Sequence, residues 1–471
     1  MNSADLAFTP ALDQARLIRQ KEISPLDLVE VYLERIERLN PQLGSYVFVA
    51  AEQAIADAKA KTEHLTHTPS EDLPPFFGVP ISIKDLNPVA GMPCTFGVRW
   101  LKKRIAQEDD GVVQRIKQAG FVILGKTATS EAGTLPYTEP DGFPPARNPW
   151  SLQHTPGGSS GGAAAALAAG LCAVAQGSDG GGSVRGPAFC CGLVGIKPSR
   201  GRVTYAPLGD RLSGLATNGP LGRTTTDTAA LLDVMSGYVP GDPYWLPDPE
   251  SSFLSAANSP FKSLKIAFST GIPAIGEADA DCRQAVLDTA SLLESLGHQV
   301  EPRSLPPCLE ELIEPFTTMF QAVLNEAGTP EIFLGKMNRW FALRARFCSC
   351  GAYLRAVSKV QLIARRIVAS FDDIDVFLLP TYLHSTIRVG EWARYRPAKT
   401  LEKIIHWIAP CPPFNATGQP AIAIPTGFTA SRLPIGVQLV GHPAADETLI
   451  ALAAQIEAAR PWSQHRPPLV L

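Results

Sequence analysis

The sequence predicts an α/β fold, because short apolar segments typical of buried strands alternate with helical segments along the chain. Residues 122–125, Val-Ile-Leu-Gly, predict one such strand. Residues 163–169 contain only alanine and leucine and predict a closely packed helix, and residues 171–175 predict the next strand. This alternation indicates a core in which helices pack on a sheet.

The N-terminal part of the chain carries helix signals and then a strand. Ser24 followed by Pro25 is typical of an N-cap and a first helical turn. A second helix is expected at residues 50–63, and residues 78–83 alternate in the manner of a strand, which predicts Lys84 at a strand end. The first helix has apolar residues on one face, namely Leu28, Tyr32, Leu33, Ile36 and Leu39.

The remainder of the chain continues the alternation. Residues 239–263 are rich in Pro, Ser and Asp and predict a surface connection. Residues 309–370 have a helical, aromatic pattern that is more often core than pocket, with Phe316, Phe320, Trp340, Phe341 and Phe347. Further elements are expected as a strand at 265–268, a helix at 279–297, and strands at 376–380, 421–425 and 435–440.

The charge and composition favour a small neutral or amphiphilic ligand. The 471 residues carry a formal net charge of -3, so no strong field is available to attract nucleic acid or an anionic membrane. The N-terminal segment lacks a basic stretch followed by an apolar run, which predicts a cytoplasmic protein without a membrane anchor. A homodimer is compatible with this composition.

The nine cysteines are odd in number and mostly scattered among apolar neighbours, which is typical of reduced, buried thiols. Cys348 and Cys350 form a close pair, but no second Cys or His pair at metal-finger spacing lies near them. We therefore expect no metal site and no cofactor.

Two glycine-serine clusters, at residues 156–162 and 177–183, are the most unusual segments of the sequence. Flexible linkers produce such strings, but a linker would not be adjoined by segments that read as buried helix and strand. The clusters therefore lie inside the fold. One interpretation is that their glycines only allow tight turns and close packing.

Two other interpretations fit poorly. A phosphate-binding loop would need a following Gly-Lys-Ser/Thr, which neither cluster has, and Arg185 stands where the last glycine of a GxGxxG would be. Residues 157–161 match the nucleophile elbow GxSxG, but the preceding segment is polar and contains proline instead of forming a strand. No histidine has a context that marks it as the base.

A serine-serine-lysine arrangement uses all the unusual residues. Ser183 needs a base to become a nucleophile. Burial of Lys84 would lower the pKa of its amine enough for Lys84 to act as that base. Ser159 can pass the proton between them. The backbone N–H groups of Gly180, Gly181, Gly182 and Ser183 are unobstructed by side chains and suit a forming oxyanion.

These residues resemble the amidase signature family over almost the whole chain. Lys84 opens a segment similar to that family's lysine segment, residues 157–162 are similar to its first serine, and residues 177–185 are similar to its nucleophile loop. Ser159 follows Lys84 by 75 residues and precedes Ser183 by 24, which also agrees. Further similar segments are 35–40, 195–198, 415–420 and 436–439.

The resemblance implies the residue roles and the fold. Ser183 would attack an amide carbonyl, and Lys84 would accept its proton through Ser159. The attack would give an acyl-enzyme that water hydrolyses. The peptide bond before Ser159 would be cis. Asp179, Arg185 and Ser160 would support the loop. The implied fold is a single α/β/α sandwich around a large mixed β-sheet, so residues 1–471 form one amidase domain in which residues 309–370 shape the substrate site.

Within that family, the sequence favours a free-standing amidase acting on a small-molecule amide, with apolar, aryl and amino-acid-derived amides all open. One alternative is the glutamine-hydrolysing subunit of a tRNA-dependent amidotransferase, but Gly186 stands where that branch usually has Gln. The other is a catalytically silent binding subunit, which the intact Lys-Ser-Ser set disfavours. Tyr137, Phe143 and Trp340 are the candidate substrate-binding residues.

Overall fold

Eleven strands form one mixed sheet in the computed structural model, which describes residues 3–259, 262–326 and 328–470. The strands in chain order are β1 (Tyr46–Val49), β2 (Pro80–Lys84), β3 (Val122–Thr127), β4 (Val174–Asp179), β5 (Val194–Lys197), β6 (Thr217–Gly222), β7 (Lys265–Phe268), β8 (Gly271–Ile272), β9 (Gly276–Glu277), β10 (Gln299–Pro302), β11 (Val376–Pro380), β12 (Ala421–Phe428) and β13 (Pro434–Gly441). Strands β8 and β9 pair separately with each other.

The order across the large sheet is β1-β3-β2-β4-β6-β5-β12-β13-β11-β7-β10. Strands β3, β2 and β4 are parallel neighbours, as are β11, β7 and β10, and the other pairs are antiparallel. The large mixed sheet expected from the sequence is therefore confirmed.

Helices flank the sheet on the α/β/α plan. They are α1 (Ser3–Phe8), α2 (Ala11–Arg19), α3 (Pro25–Leu43), α4 (Ala51–His67), α5 (Gly111–Gln118), α6 (Gly161–Ala168), α7 (Arg185–Cys191), α8 (Thr225–Met235), α9 (Phe253–Ala257), α10 (Ala280–Ser295), α11 (Ile313–Glu326), α12 (Lys336–Ala345), α13 (Cys350–Ala369), α14 (Pro397–Ile408), α15 (Pro412–Thr417) and α16 (Asp446–Ala459). Short 3-10 helices lie at Ser70–Asp72, Arg99–Leu101, Glu131–Gly133, Pro307–Leu312, Glu331–Phe333 and Pro468–Val470.

Helix α3 begins as the sequence predicts. Ser24 Oγ accepts a hydrogen bond from the Asp27 N–H, and Asp27 Oδ2 accepts one from the Ser24 N–H, which is a complete capping box. Four of the five residues expected on the apolar face are buried, while Leu33 is half-buried. The helix ends at Gly44, which has a φ of 57°.

Strand β4 lies further along the chain than its apolar residues suggested. We expected residues 171–175, whereas the strand runs to Asp179. The difference arises because Gly177, Ser178 and Asp179 pair antiparallel with Thr217 to Gly219 of β6. A partner strand thus extends β4 into residues of low intrinsic strand preference, and places their backbone at the buried end of the sheet.

The alternation of strands and helices is interrupted in two segments, residues 239–263 and 309–370. Residues 239–263 are mostly exposed, but the short helix α9 within them packs against α8 and α16; Pro260 and Phe261 lie outside the described residues. Residues 309–370 form helices α11, α12 and α13, with Ala327 outside the described residues.

The cysteines are mostly buried, as expected. Seven of the nine are buried and all nine are free, while Cys348 is half-buried and Cys350 is exposed. Among the described residues, no helix is both long and apolar enough to pass through a bilayer.

Candidate active site

Lys84 ends strand β2, and its side chain is fully buried against the carboxyl end of β4. The two strands are parallel neighbours, so their carboxyl ends meet at one edge of the sheet. Lys84 Nζ lies 2.7 Å from Ser159 Oγ, 2.8 Å from Ser160 Oγ, and 3.1 Å from Ser178 Oγ. It also lies 3.2 Å from the Ser178 carbonyl oxygen. The four oxygen partners are all neutral.

Burial lowers the pKa of Lys84 to about 7, because removal from water disfavours the ammonium and the neighbouring oxygens carry no charge. The negative charge of Asp179 acts in the opposite direction and only partly offsets this change. A large fraction of Lys84 is therefore an uncharged amine near neutral pH, with a lone pair that can accept a proton.

Ser160 connects Lys84 to the loop that contains Ser183, and Ser159, which also contacts Lys84, precedes it in the chain. The peptide bond between Gly158 and Ser159 is cis. The Ser160 N–H donates to the Ser183 carbonyl oxygen at 3.2 Å, which ties the two serine loops together. Ser160 Oγ also donates to the Ser178 carbonyl oxygen at 3.2 Å. With Lys84 Nζ at 2.8 Å, Ser160 contacts the lysine as directly as Ser159 does.

Asp179 and Arg185 form a buried ion pair at the base of the Ser183 loop, with Arg185 Nη2 at 2.9 Å from Asp179 Oδ1. Asp179 also accepts from the N–H groups of Gly182 at 2.7 Å and Val184 at 3.1 Å. Asn415 donates to Asp179 Oδ1 at 2.9 Å and accepts from Arg185 Nη2 at 2.6 Å. These contacts fix both ends of the loop.

The contact with Asp179 corrects one residue of the predicted oxyanion hole. The Gly182 N–H points at a carboxylate oxygen and so cannot also face an oxyanion. Gly182 is required for another reason: its φ is +120°, and a Cβ there would lie 2.8 Å from Cβ of Cys411. Gly180, Gly181 and Ser183 stay as candidate donors.

Replacing Arg185 by leucine is expected to lower the free energy of unfolding by about 3–5 kcal/mol, because Asp179 would be left as an uncompensated buried charge. Chemical denaturation with far-UV circular dichroism measures this change. Arg366→Leu is the matched control, since its pair with Glu311 is on the surface and its loss should change stability little. An equal effect of both substitutions would contradict the structural importance of the buried pair.

An apolar cavity opens beside Ser183 and has a volume of about 100 Å³. Phe316 and Phe320 of α11 stack with ring centroids 5.6 Å apart, and a Cβ on Gly181 would lie 3.5 Å from the Phe316 ring. The aromatic rings therefore lie against the candidate oxyanion glycines. The remaining lining includes the aromatic Phe341 and is otherwise mostly aliphatic, with Leu309, Leu312, Ile313, Leu401, Ile404, Ile405 and Ile408.

The three predicted substrate-binding residues do not line this cavity, and their role stays a prediction. Tyr137 and Trp340 line a second cavity of about 610 Å³, which shares only Leu135 with the first among the described lining residues. Phe143 instead stacks under Lys102, whose Nζ lies 4.5 Å from the ring centroid. Phe316 and Phe320 belong to the aromatic segment 309–370, and helical periodicity alone did not single them out as cavity residues.

The second cavity is the larger, yet it does not contain the serines or the lysine. Its lining includes Glu131 and Glu139, whose carboxylates accept hydrogen bonds from the N–H groups of Gly335 and Gly390. We therefore identify the site by its chemistry and not by cavity size, and place it at Ser183.

The packing around residue 186 explains why glycine stands there, where the amidotransferase branch usually has glutamine. A Cβ at this position would lie 1.7 Å from the Tyr382 hydroxyl oxygen, so no larger side chain fits beside Tyr382. Tyr382 is fully buried and also lines the cavity at Ser183. A tyrosine from the end of β11 thus occupies the space that a residue at 186 would need.

Comparisons with known proteins identify the family of the chain. The Amidase family model matches residues 27–450. A protein of Synechocystis sp. with a provisional amidase name is 49% identical over 98% of this chain and 90% of its own. The 6-aminohexanoate-cyclic-dimer hydrolase of Paenarthrobacter ureafaciens is 33% identical over 100% of this chain and 98% of its own.

A solved structure of 6-aminohexanoate cyclic dimer hydrolase complexed with substrate superposes with a TM-score of 0.92 at 32% identity, covering 99% of this chain and 100% of that one. Fold, family and relatives define a hydrolase that acts on amide C–N bonds. The chain belongs to the amidase signature family.

Proposed function

We propose that the chain is a free-standing amidase in which Ser183 is the nucleophile, Ser159 the relay and Lys84 the base. The observation that carries this proposal is the buried Lys84 Nζ, 2.7 Å from Ser159 Oγ, with its pKa lowered to about 7. A lysine can act as a base near neutral pH when its pKa is lowered in this way.

The proposed reaction begins when Lys84 takes the Ser159 hydroxyl proton while Ser159 takes that of Ser183. Ser183 Oγ then bonds to the amide carbon, and the N–H groups of Gly180, Gly181 and Ser183 stabilise the oxyanion. Lys84 returns the proton through Ser159 to the leaving nitrogen, and the C–N bond breaks. Water then hydrolyses the seryl acyl-enzyme by the same relay, which releases the carboxylic acid.

We further propose that residues 1–471 act as a single amidase domain, in which residues 309–370 shape the acyl site. Phe316, Phe320 and Phe341 come from this segment and line the apolar cavity at Ser183. No charged residue is among the described residues that line this cavity. The substrate class that fits is therefore an amide with an apolar acyl group.

The general test is a panel of amides that vary in acyl group, assayed on the purified chain alone. We expect hydrolysis without any partner protein, and mass spectrometry of the quenched reaction should detect an acyl group on Ser183. Hydrolysis of glutamine only after addition of amidotransferase partner subunits would instead support the tRNA-dependent alternative. A chain that hydrolyses nothing and forms no adduct would support a silent binding subunit.

Phe316→Ala is expected to lower kcat/KM for hexanamide about tenfold or more relative to acetamide. The reason is that a hexanoyl chain loses an aromatic contact surface on the cavity wall, and burial of such a side chain contributes about 1.5–3 kcal/mol. Steady-state kinetics on the two amides measure the ratio. Trp340→Ala is the matched control, because Trp340 lines the other cavity. If Trp340→Ala changed the ratio of kcat/KM for the two amides and Phe316→Ala did not, the assignment of the acyl group to the apolar cavity would be contradicted.

The pH dependence of kcat/KM is expected to show an acid limb with an apparent pKa of about 7. The folded pKa of Lys84 is lowered, so the amine is protonated below about pH 7 and activity should fall there, while it is fully available above. Burial also lowers the pKa of Lys197 to about 7 and raises that of Glu131 to about 7. Lys197→Met and Glu131→Gln should therefore keep the limb, and its loss in either variant would contradict its assignment to Lys84.

A further inference from the structure

A third cavity lies on the Lys84 side of the nucleophile loop. It is lined by Ser159, Ser178 and Gly180, and it shares Thr134 and Phe320 with the apolar cavity at Ser183. Its chemistry differs, because polar and charged side chains form much of its wall, including Asn87, Asp110, Tyr205, Arg211 and Asn218. The reacting centre therefore has an apolar cavity on one side and a polar cavity on the other.

Arg211 is the cation of this polar cavity. Its guanidinium lies 5.7 Å from the centroid of the Phe96 ring, which supports it from one side. Among the described residues, its guanidinium N–H groups have no hydrogen-bond acceptor and no carboxylate within ion-pair distance. A half-buried guanidinium with unused donors beside a reaction centre is suited to bidentate recognition of a carboxylate.

Two other polar side chains of the cavity, Asp110 and Asn218, are already engaged by the protein. Asp110 accepts from Asn87 Nδ2 at 3.0 Å and from the Val112 N–H at 3.2 Å, where it caps helix α5. Asn218 Oδ1 accepts from Asn87 Nδ2 at 3.0 Å and from Gln176 Nε2 at 3.1 Å. Asp110 is the negatively charged group of the wall; burial raises its pKa, and Arg211 is near enough to offset part of that rise. Among the described residues, however, the two form no ion pair, and the Asp110 oxygens accept from Asn87 and Val112.

The proton relay identifies which part of the substrate this cavity would hold. A proton must reach the leaving nitrogen when the C–N bond breaks, so the leaving amine lies beside the group that delivers the proton. In the proposed mechanism that group is Ser159, which lines the polar cavity. The acyl group then lies on the other side, in the apolar cavity beside Gly181 and Phe316.

We propose that Arg211 binds a carboxylate on the amine half of the substrate, so that the preferred substrates are apolar N-acyl amino acids. This inference rests on the proposed function of Ser183 and Lys84. Hydrolysis would consume one water and break the C–N bond. The products are an apolar carboxylic acid and a free amino acid, whose nitrogen receives the proton from the relay.

The test compares three amides with the same hexanoyl group and different amines. N-hexanoylglycine carries the carboxylate, N-hexanoylisobutylamine replaces it with a neutral group of the same shape, and N-hexanoyl-1,2-diaminoethane carries a cation. All three give the same acyl-enzyme, so kcat/KM for hexanoate release compares the acylation steps alone. We expect N-hexanoylglycine to be preferred over the neutral amide by about tenfold to a hundredfold.

Arg211→Gln should abolish that preference, measured as the ratio of kcat/KM for N-hexanoylglycine and the neutral amide within the same variant, and Arg211→Lys should retain part of it. Arg104→Gln is the matched control: Arg104 also stacks on Phe96, at 5.3 Å, but is exposed and does not line the cavity. It should keep the wild-type preference.

The inference and the proposed function fail in different ways. Hydrolysis of the neutral amide at least as fast as of N-hexanoylglycine by the wild type would overturn the role of Arg211 and leave the amidase mechanism intact. A preference for the cationic amide would also overturn it and would point to Asp110 instead. If the ratio of kcat/KM for N-hexanoylglycine and the neutral amide were equal in the wild type and in Arg211→Gln, another residue would bind the carboxylate and the role of Arg211 would be overturned. No hydrolysis of any of the three, with no adduct on Ser183, would contradict the proposed function itself.

Discussion

Replacing Ser183 by alanine is expected to reduce kcat/KM for amide hydrolysis by about 10⁴-fold or more, because no covalent intermediate can form without its hydroxyl. The loss should be seen on every amide that the wild type hydrolyses. Labelling with a fluorophosphonate should disappear as well, since that reagent reacts with an activated serine. Continuous assay of the acid product and mass spectrometry of the labelled chain measure the two effects.

The control for this substitution is a serine that does not touch the site. Ser431→Ala, in the exposed turn between β12 and β13, should leave both turnover and labelling unchanged. The unfolding midpoint of Ser183→Ala should match the wild type, because only one hydroxyl is removed. A variant that keeps more than about a tenth of the wild-type rate would rule out Ser183 as the nucleophile.

Replacing Lys84 by methionine is expected to lower kcat/KM by about 10³- to 10⁴-fold. Methionine fills a similar volume but offers no lone pair to Ser159, so Ser183 would keep its proton. The protein should stay folded, because the change removes a buried group that prefers to be uncharged. Circular dichroism and the unfolding midpoint check the fold, and steady-state kinetics measure the loss.

Lys197→Met is the matched control for Lys84→Met. Both lysines are fully buried at a strand end, and burial lowers the pKa of each to about 7. Lys197 Nζ, however, donates to the Pro198 carbonyl oxygen at 3.0 Å and contacts neither Ser159 nor Ser160. A similar loss of activity in both variants would mean that removal of any buried lysine lowers activity, and would contradict a specific role of Lys84 in the proton relay.

Elements with a strong local signal could be predicted from the sequence. Helix α3 is an example, because Ser24, Pro25 and Asp27 form its cap within a few residues of one another. Strand β11 at Val376–Pro380 is another, since its five residues are apolar and all buried. In both cases, neighbouring residues supply the physical cause, and no distant partner is needed.

Strand β4 shows why other boundaries could not be predicted. Its last three residues, Gly177 to Asp179, have little intrinsic strand preference and join the sheet because β6 pairs with them from far along the chain. The parallel pairing of β4 with β2 brings Ser178 to Lys84. Ser178 and Ser160 were therefore missed as partners of the lysine, although both stand in the glycine-serine clusters that marked the site.

The serine-lysine set could be proposed from the sequence more directly than the residues of a substrate pocket, for a related reason. Ser159 and Ser183 stand in the two glycine-serine clusters, and Lys84 follows a predicted strand, so all three could be proposed without knowing the packing. Phe316 and Phe320 belong to an ordinary amphipathic helix, and their periodicity does not distinguish a core from a cavity wall. Gly182 was misassigned because the sequence does not show where Asp179 directs its oxygens.

The rate of covalent modification of Ser183 by a fluorophosphonate, followed by mass spectrometry at several pH values, tests the central claim most directly. The wild type should be modified at Ser183 at a rate that rises with pH and levels off above an apparent pKa of about 7. Lys84→Met should be modified at the same serine about 10³-fold more slowly near pH 8. Modification of Lys84→Met at the wild-type rate, or of a residue other than Ser183, would contradict the assignment of base and nucleophile.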